Sequence, residues 1–130
     1  MAQDRLALRT AIFALLGGTD LNTAISGRMV HNKAPDSWVM PYVVFDIPDG
    51  NKVDLVYEAD IIKFHIFSAS SNADEVDDIY KKLRAVYDDA ALTAGSVAEN
   101  TSLDWENCIC VHEKDNWHYV VSYRTWIRTT

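Results

Sequence analysis

A chain of 130 residues, 48% hydrophobic and 24% charged, has material for one core, so a single domain over residues 1–130 is expected. Its 19 acidic residues outnumber the 12 basic ones and give a net charge of -7, which excludes the broad basic footprint of a nucleic-acid binder. The opening stretch MAQDRLALRT lacks the apolar core of a secretory signal, and no run reaches membrane-spanning length. The expectation is a reducing, cytoplasmic compartment with no membrane partner.

Asp4 to Leu16 is predicted to be a helix. Leu8, Ile12 and Leu15 recur at helical spacing, Ala11 and Leu16 widen the stripe, and Gly17-Gly18 ends it. Asp20 is placed to cap a short turn over Leu21 to Ile25. Arg28 to Val39 has little pattern, and its polar middle, HNKAPDS, is expected to be a loop. The stretch MPYVVFDIPDG then reads as one strand, opened by Pro41 and closed by a Pro48-Asp49-Gly50 turn. Val53 to Phe67 reads as a longer strand whose apolar parity changes. Val53, Leu55 and Tyr57 are odd, whereas Ile62, Phe64 and Ile66 are even, so a bulge is expected near Glu58 to Asp60.

Ser71 to Ala90 carries the clearest helical stripe: Val76, Ile79, Tyr80, Leu83, Val86 and Tyr87. Ser70, Ser71 and Asn72 can cap it, and Asp77–Lys81 and Asp78–Lys82 are acid-first pairs on its outer face. TAGSVAENTS is a loop. Two strands close the chain, Leu103 to His112 and Trp117 to Arg128, joined by the hairpin turn Glu113 to Asn116. A symmetric hairpin sets His112 opposite Trp117, Cys110 opposite Tyr119 and Cys108 opposite Val121. One sheet face then carries Cys108, Cys110, Trp117, Tyr119, Val121 and Tyr123. The other carries Trp105, Ile109, Val111, Val120 and Trp126, with His118 and Arg124. A single helix layer covers one face only, so the second is expected to meet another molecule. The fold class that follows is α+β: an antiparallel sheet of about four strands, helices on one face, in the order α-β-β-α-β-β.

The chemistry of enzymes is hard to find in this chain. Cys108, Cys110 and His112 alternate on one strand, roughly 6.5 Å apart, wider than the turns that build tetrahedral metal sites. Both cysteines read as free thiols, and no metal or cofactor is expected. There is no nucleophile elbow and no glycine-rich loop between a strand and a helix. Acids such as Asp46, Asp49, Asp54, Glu58 and Asp60 are numerous, but solvation explains them better than catalysis does. His65 sits between Phe64 and Ile66 and reads as a surface histidine beside core residues. The four tryptophans lack surrounding Lys and Arg, which favours packing and interface roles over base stacking.

The order of LRTAIFALL, LNTAISGRMV, APDSWVMPYVVFDI, IIKFHIFS, SSNADEVDDIYKKLRAVY and YVVSYRTWIR resembles the tail-completion, or tail-terminator, proteins of long-tailed bacteriophages and prophage-like elements. That family includes tail-to-head joining proteins. The resemblance implies a non-enzymatic virion protein, assembled in the host cytoplasm, that forms a hexameric ring. Such a ring ends the tail tube and joins the tail to a head-side connector or stopper, while DNA passes through without specific binding. A head-closure or adaptor ring of the neck is the alternative, and a small cytoplasmic enzyme or ligand-binding module is the alternative of another class. In the ring reading Trp105, Trp126, Arg124 and Val120 are candidate subunit contacts. Asp54, Glu58 and Asp60 are candidates to face the lumen or tube.

Overall fold

The computed structural model describes residues 5–52, 57–92 and 102–128, without the side chains of 5, 7, 49–52, 57–58 and 126–128. Eight elements follow in order: α1 (Arg5–Leu16), α2 (Asp20–Ala24), β1 (Met29–His31), β2 (Tyr42–Lys52), β3 (Tyr57–Ser68), α3 (Asp74–Tyr87), β4 (Leu103–His112) and β5 (Trp117–Arg128). The five strands form one mixed sheet in the order β1-β2-β3-β5-β4. The α+β class holds. The expected all-antiparallel sheet of about four strands and its element order do not.

The difference begins at β1. Residues 29–31 lie in the weakly patterned segment, where no strand is expected, and only His31 falls within the expected loop; they run parallel to β2, with Met29 beside Val43 and His31 beside Phe45. The Val43 amide donates to the Arg28 carbonyl at 2.9 Å, and the Asn32 amide donates to the Phe45 carbonyl at 2.9 Å. Asn32 then leaves the strand at a positive φ of 71°, a conformation its short polar side chain tolerates.

The bulge lies in the neighbouring strand and not in β3. Pairing of β3 with β5 is continuous from Tyr57↔Arg128 to Ser68↔Trp117, so the bulge expected near Glu58 to Asp60 is absent from β3. The register instead shifts between Asp46↔Lys63 and Asp49↔Ile61, so β2 holds the extra residue. Pro48, with no N–H to donate, sits inside that irregularity. Pro48 is therefore part of a bulge, Asp49 and Gly50 continue the strand in the ladder, and the stretch is not a turn. The connection from β2 to β3, with Val53 and Leu55, lies outside the described residues.

One face of the sheet is covered by helices. Ile62, Phe64 and Ile66 of β3, Val43 and Phe45 of β2, and Val121 and Tyr123 of β5 are fully buried there. They share a core cluster with Leu8 and Ile12 of α1, Leu21 of α2, and Val76, Ile79, Leu83 and Tyr87 of α3. The α3 stripe thus falls where helical periodicity places it, with Tyr80 and Val86 at its half-buried margin. Thr19, and not Asp20, caps α2, its hydroxyl accepting from the Asn22 amide at 3.1 Å. Asn72 accepts from the Asp74 amide at 2.9 Å at the start of α3. The Asp78–Lys82 pair forms at 2.7 Å, whereas Asp77 accepts the Tyr119 hydroxyl and ties α3 to β5. Gly18 and Gly27 end their turns at φ of 74° and 73°, where a side chain would be strained.

Tyr87 joins three elements. Its ring lies 4.6 Å from Phe64, and its hydroxyl donates to the Ile12 carbonyl at 2.9 Å. Burial pushes the phenol well above its ordinary range, so it stays a donor. Tyr87→Phe keeps the ring and removes the hydrogen bond. The expected loss is about 0.5–1.5 kcal/mol in a urea melt; an unchanged midpoint would mean the hydroxyl is already hydrated.

Candidate functional site: the uncovered sheet face

No helix packs on the second face of the sheet among the described residues. β4 presents Ile109, 56% exposed, and Val111, 38% exposed, on this face. β5 adds Val120, His118 and Arg124, and β3 adds Ile61, Lys63, His65 and Phe67, all half-buried. β2 supplies Tyr42, Val44 and Asp46, and Tyr42 lies 5.1 Å from Phe67, ring to ring. The face is therefore apolar at intervals with charges set between.

Two hollows open on it. One, of about 600 Å³, is lined by Pro48, Ile61, Lys63, Glu106, Asn107, Ser122 and Arg124. Arg124 Nε reaches Glu106 Oε2 at 3.2 Å across its floor. The other, of about 390 Å³, lies beside Asn32, Lys33, Tyr42, Asp46, His65 and Phe67.

From the second hollow toward the hairpin turn runs a line of titratable groups. Asp46 Oδ2 lies 3.5 Å from His65 Nε2, and His65 Nδ1 lies 2.9 Å from His118 Nε2. His118 Nδ1 lies 3.2 Å from Glu113 Oε1. The His118 ring stacks on Phe67 at 4.3 Å. Burial pulls His65 below its ordinary value, against the upward pull of Asp46. This line joins β2, β3, β5 and the hairpin turn. Sequence periodicity places His118 on this face, but only the β3–β5 register brings His65 beside it.

The candidate contact residues do not share one face. A register shift between Trp105↔Tyr123 and Asn107↔Ser122 inserts Glu106 as an extra residue in β4. It flips the parity, so Trp105 stands with Tyr123 on the helix side, and the Arg84 guanidinium lies 4.2 Å over its ring. Placing Trp105 beside Ile109 and Val120 is thus corrected by the bulge. Trp105 is still 39% exposed, at the sheet margin. Val120 and Arg124 do lie on the uncovered face. Trp126 pairs with Ala59 in the ladder, and its side chain lies outside the described residues.

Asp54, a lumen candidate, lies outside the described residues, as does the Glu58 side chain. Asp60 is wholly buried opposite Thr125, so its carboxylate presents no surface in the single chain. Its parity explains this: it stands on the same side of β3 as Ile62 and Phe64.

The thiols lie at the other side of β4. Cys108 Sγ and Cys110 Sγ are 3.8 Å apart and unbridged. Burial, then its neighbour Cys110, pushes the Cys108 thiol up to about 12, which makes it a poor nucleophile. Among the described residues no group of three His, Cys, Asp or Glu side chains is arranged to hold a metal ion. No described helix is long and apolar enough to cross a membrane.

The fold has counterparts. A chain from the virion of a native gene transfer agent particle is 13% identical, with a TM-score of 0.75 over 94% of this chain and 95% of that one. A second solved structure is 8% identical, with a TM-score of 0.61 over 94% and 96%. At such identities the likeness concerns the fold alone. No curated protein matches the chain. The family model of tail completion protein gp17 matches residues 10–128, nearly the whole chain from α1 to the end of β5. The chain therefore belongs to the tail completion protein gp17 family, and is a structural protein of a phage or phage-like tail.

Proposed function

We propose that the protein assembles into a hexameric ring that terminates the tail tube and joins the tail to the head-side connector. The observation that carries this reading is the uncovered sheet face, with Ile109 and Val111 exposed beside the outer edge of β4, which beyond its bonds from Leu103 to Asp89 and Ala90 pairs with no other strand among the described residues. Exposed apolar residues and an open strand edge are costly in a lone subunit and useful in an assembly. Val120, Arg124 and the margin residue Trp105 remain the proposed contacts, with Trp126 added from the sequence. No cofactor is needed, and the subunit is not an enzyme in this reading. Its site of assembly is the host cytoplasm.

Particles produced without the protein test the role. Overlong tails support a terminator. Finished tails beside leaking heads would move the ring to the head side, as a closure or adaptor protein of the neck. A strict monomer in the assembled tail end would remove the ring.

The acidic charge has a use in this setting. A basic channel wall would hold DNA through counterion release and slow its exit. Asp54 and Glu58, at and beside the β2–β3 connection, are proposed to face the lumen; Asp60 is withdrawn because it is buried. The assembled protein is expected to show no sub-micromolar affinity for duplex DNA in a low-salt titration. Tight binding would overturn the acidic-lumen reading while leaving the ring intact.

A further inference from the structure

We propose that the His65–His118 pair on the uncovered face is a one-proton clasp, filled by a single shared proton and opened by a second. Four ring nitrogens set the proton count of the pair, whether or not the subunit assembles into a ring.

An imidazole nitrogen that faces a carboxylate must present N–H, because a lone pair there is repelled. Asp46 therefore fixes N–H on His65 Nε2, and Glu113 fixes N–H on His118 Nδ1. If both rings are neutral, each has spent its one hydrogen. The remaining nitrogens, His65 Nδ1 and His118 Nε2, then face each other as two lone pairs at 2.9 Å. That contact is a hydrogen bond only if one hydrogen lies between them. With three N–H groups on four nitrogens, every contact in the line is satisfied, and the pair carries one positive charge between two carboxylates. A fourth hydrogen sets N–H against N–H and breaks the pair.

The surroundings decide which ring carries the charge. His65 lies in the middle of the sheet, near Lys63 on its own strand, and shares a hollow with Lys33 from the segment after β1. Burial disfavours a charge there, as does Lys63. His118 stands nearer the hairpin turn, stacked on Phe67, with Glu113 beside it. The arrangement is thus a His118 imidazolium that donates to neutral His65, which donates in turn to Asp46. It ties three strands and the hairpin turn together on a face that no described helix covers.

The consequence is a mismatch in proton uptake. Below the ordinary histidine value of about 6.5, the unfolded chain binds a proton on each of these two residues. The folded pair binds one. By linkage the folded state loses ground as pH falls, and the unfolding constant rises toward tenfold per pH unit from this pair. For the second proton, which the fold refuses, the sign is that of a histidine kept neutral: stability declines as pH falls below the unfolded value.

Long-range proton–nitrogen spectra of the full chain, taken at about pH 5.5, read the two rings separately; free histidines are mostly protonated there. The expected result is one imidazolium, His118, and one neutral ring, His65, protonated at Nε2. Urea melts between about pH 7 and pH 5.5 supply the second readout. His65→Gln should remove close to one proton from the pH slope of unfolding. His118→Gln should keep the slope, since the glutamine amide donates to His65 without adding charge. Two imidazolium rings in the folded protein at about pH 5.5, or two neutral ones, would overturn the clasp. Should His65→Gln fail to fold, the wild-type spectra decide alone.

Discussion

Phe64→Ala should destabilise the protein by about 3–5 kcal/mol, the range for removing a buried phenylalanine from a close-packed core. Phe64 is fully buried at the centre of the middle strand. Its ring lies 4.6 Å from Tyr87, 5.7 Å from Tyr123 and 6.0 Å from Phe45, so it touches a helix and two neighbouring strands at once. Those neighbours are held in place. Tyr87 is bonded to Ile12, and Tyr123 donates to Asp88 at 2.6 Å. They cannot collapse into the space, so the cavity term should sit at the upper end. Against a total stability of about 5–15 kcal/mol, the variant should melt at much lower urea. A loss under about 1 kcal/mol would show that the ring is not a core residue.

Leu83→Ala should cost about 2–5 kcal/mol, and its neighbour Lys82→Ala should stay within roughly 0.5 kcal/mol. One residue apart on α3, they lie about 100° apart around the helix axis. Leu83 is fully buried against the sheet. Lys82 makes an ion pair with Asp78 at 2.7 Å, but Asp78 is exposed and Lys82 about one-third exposed at 34%, and such solvated pairs contribute little. Urea melts on the two variants check the orientation of the helix, and equal losses would show that the face is wrongly assigned.

How far the sequence announces this structure depends on the length of each signal. The α3 stripe spans four turns, and the β4–β5 hairpin has two long strands with a four-residue turn between them. Both fall where the residues place them, down to the pairing of His112 with Trp117. β1 is three residues long, too short to show a period, and its partner runs parallel, which no adjacency rule announces. Bulges mislead for a different reason. Pro48 looks like a turn and is an interruption in β2. Glu106 looks like one more strand residue and reverses the side on which Trp105 stands. Asp60 shows the limit of reading acids as solvated, since its place in the ladder points it to the core. The histidine line is a matter of register between strands that are distant in sequence, which period alone does not carry.

The strand order has a consequence for how the chain is made. β3 sits between β2, its predecessor, and β5, which follows α3 and β4. On the ribosome, the β2–β3 hairpin emerges first, with one side of β3 unsealed. Its final neighbour comes only after α3, the connecting segment and the whole of β4. At a synthesis rate of ~5–20 residues per second, that leaves a wait on the order of seconds. During that wait Phe64 and its flanking isoleucines have neither β5 nor its tyrosines beside them. The nascent chain thus spends its youth with its stickiest strand uncovered, and quality control in the producing cell meets that hairpin before it meets the finished subunit.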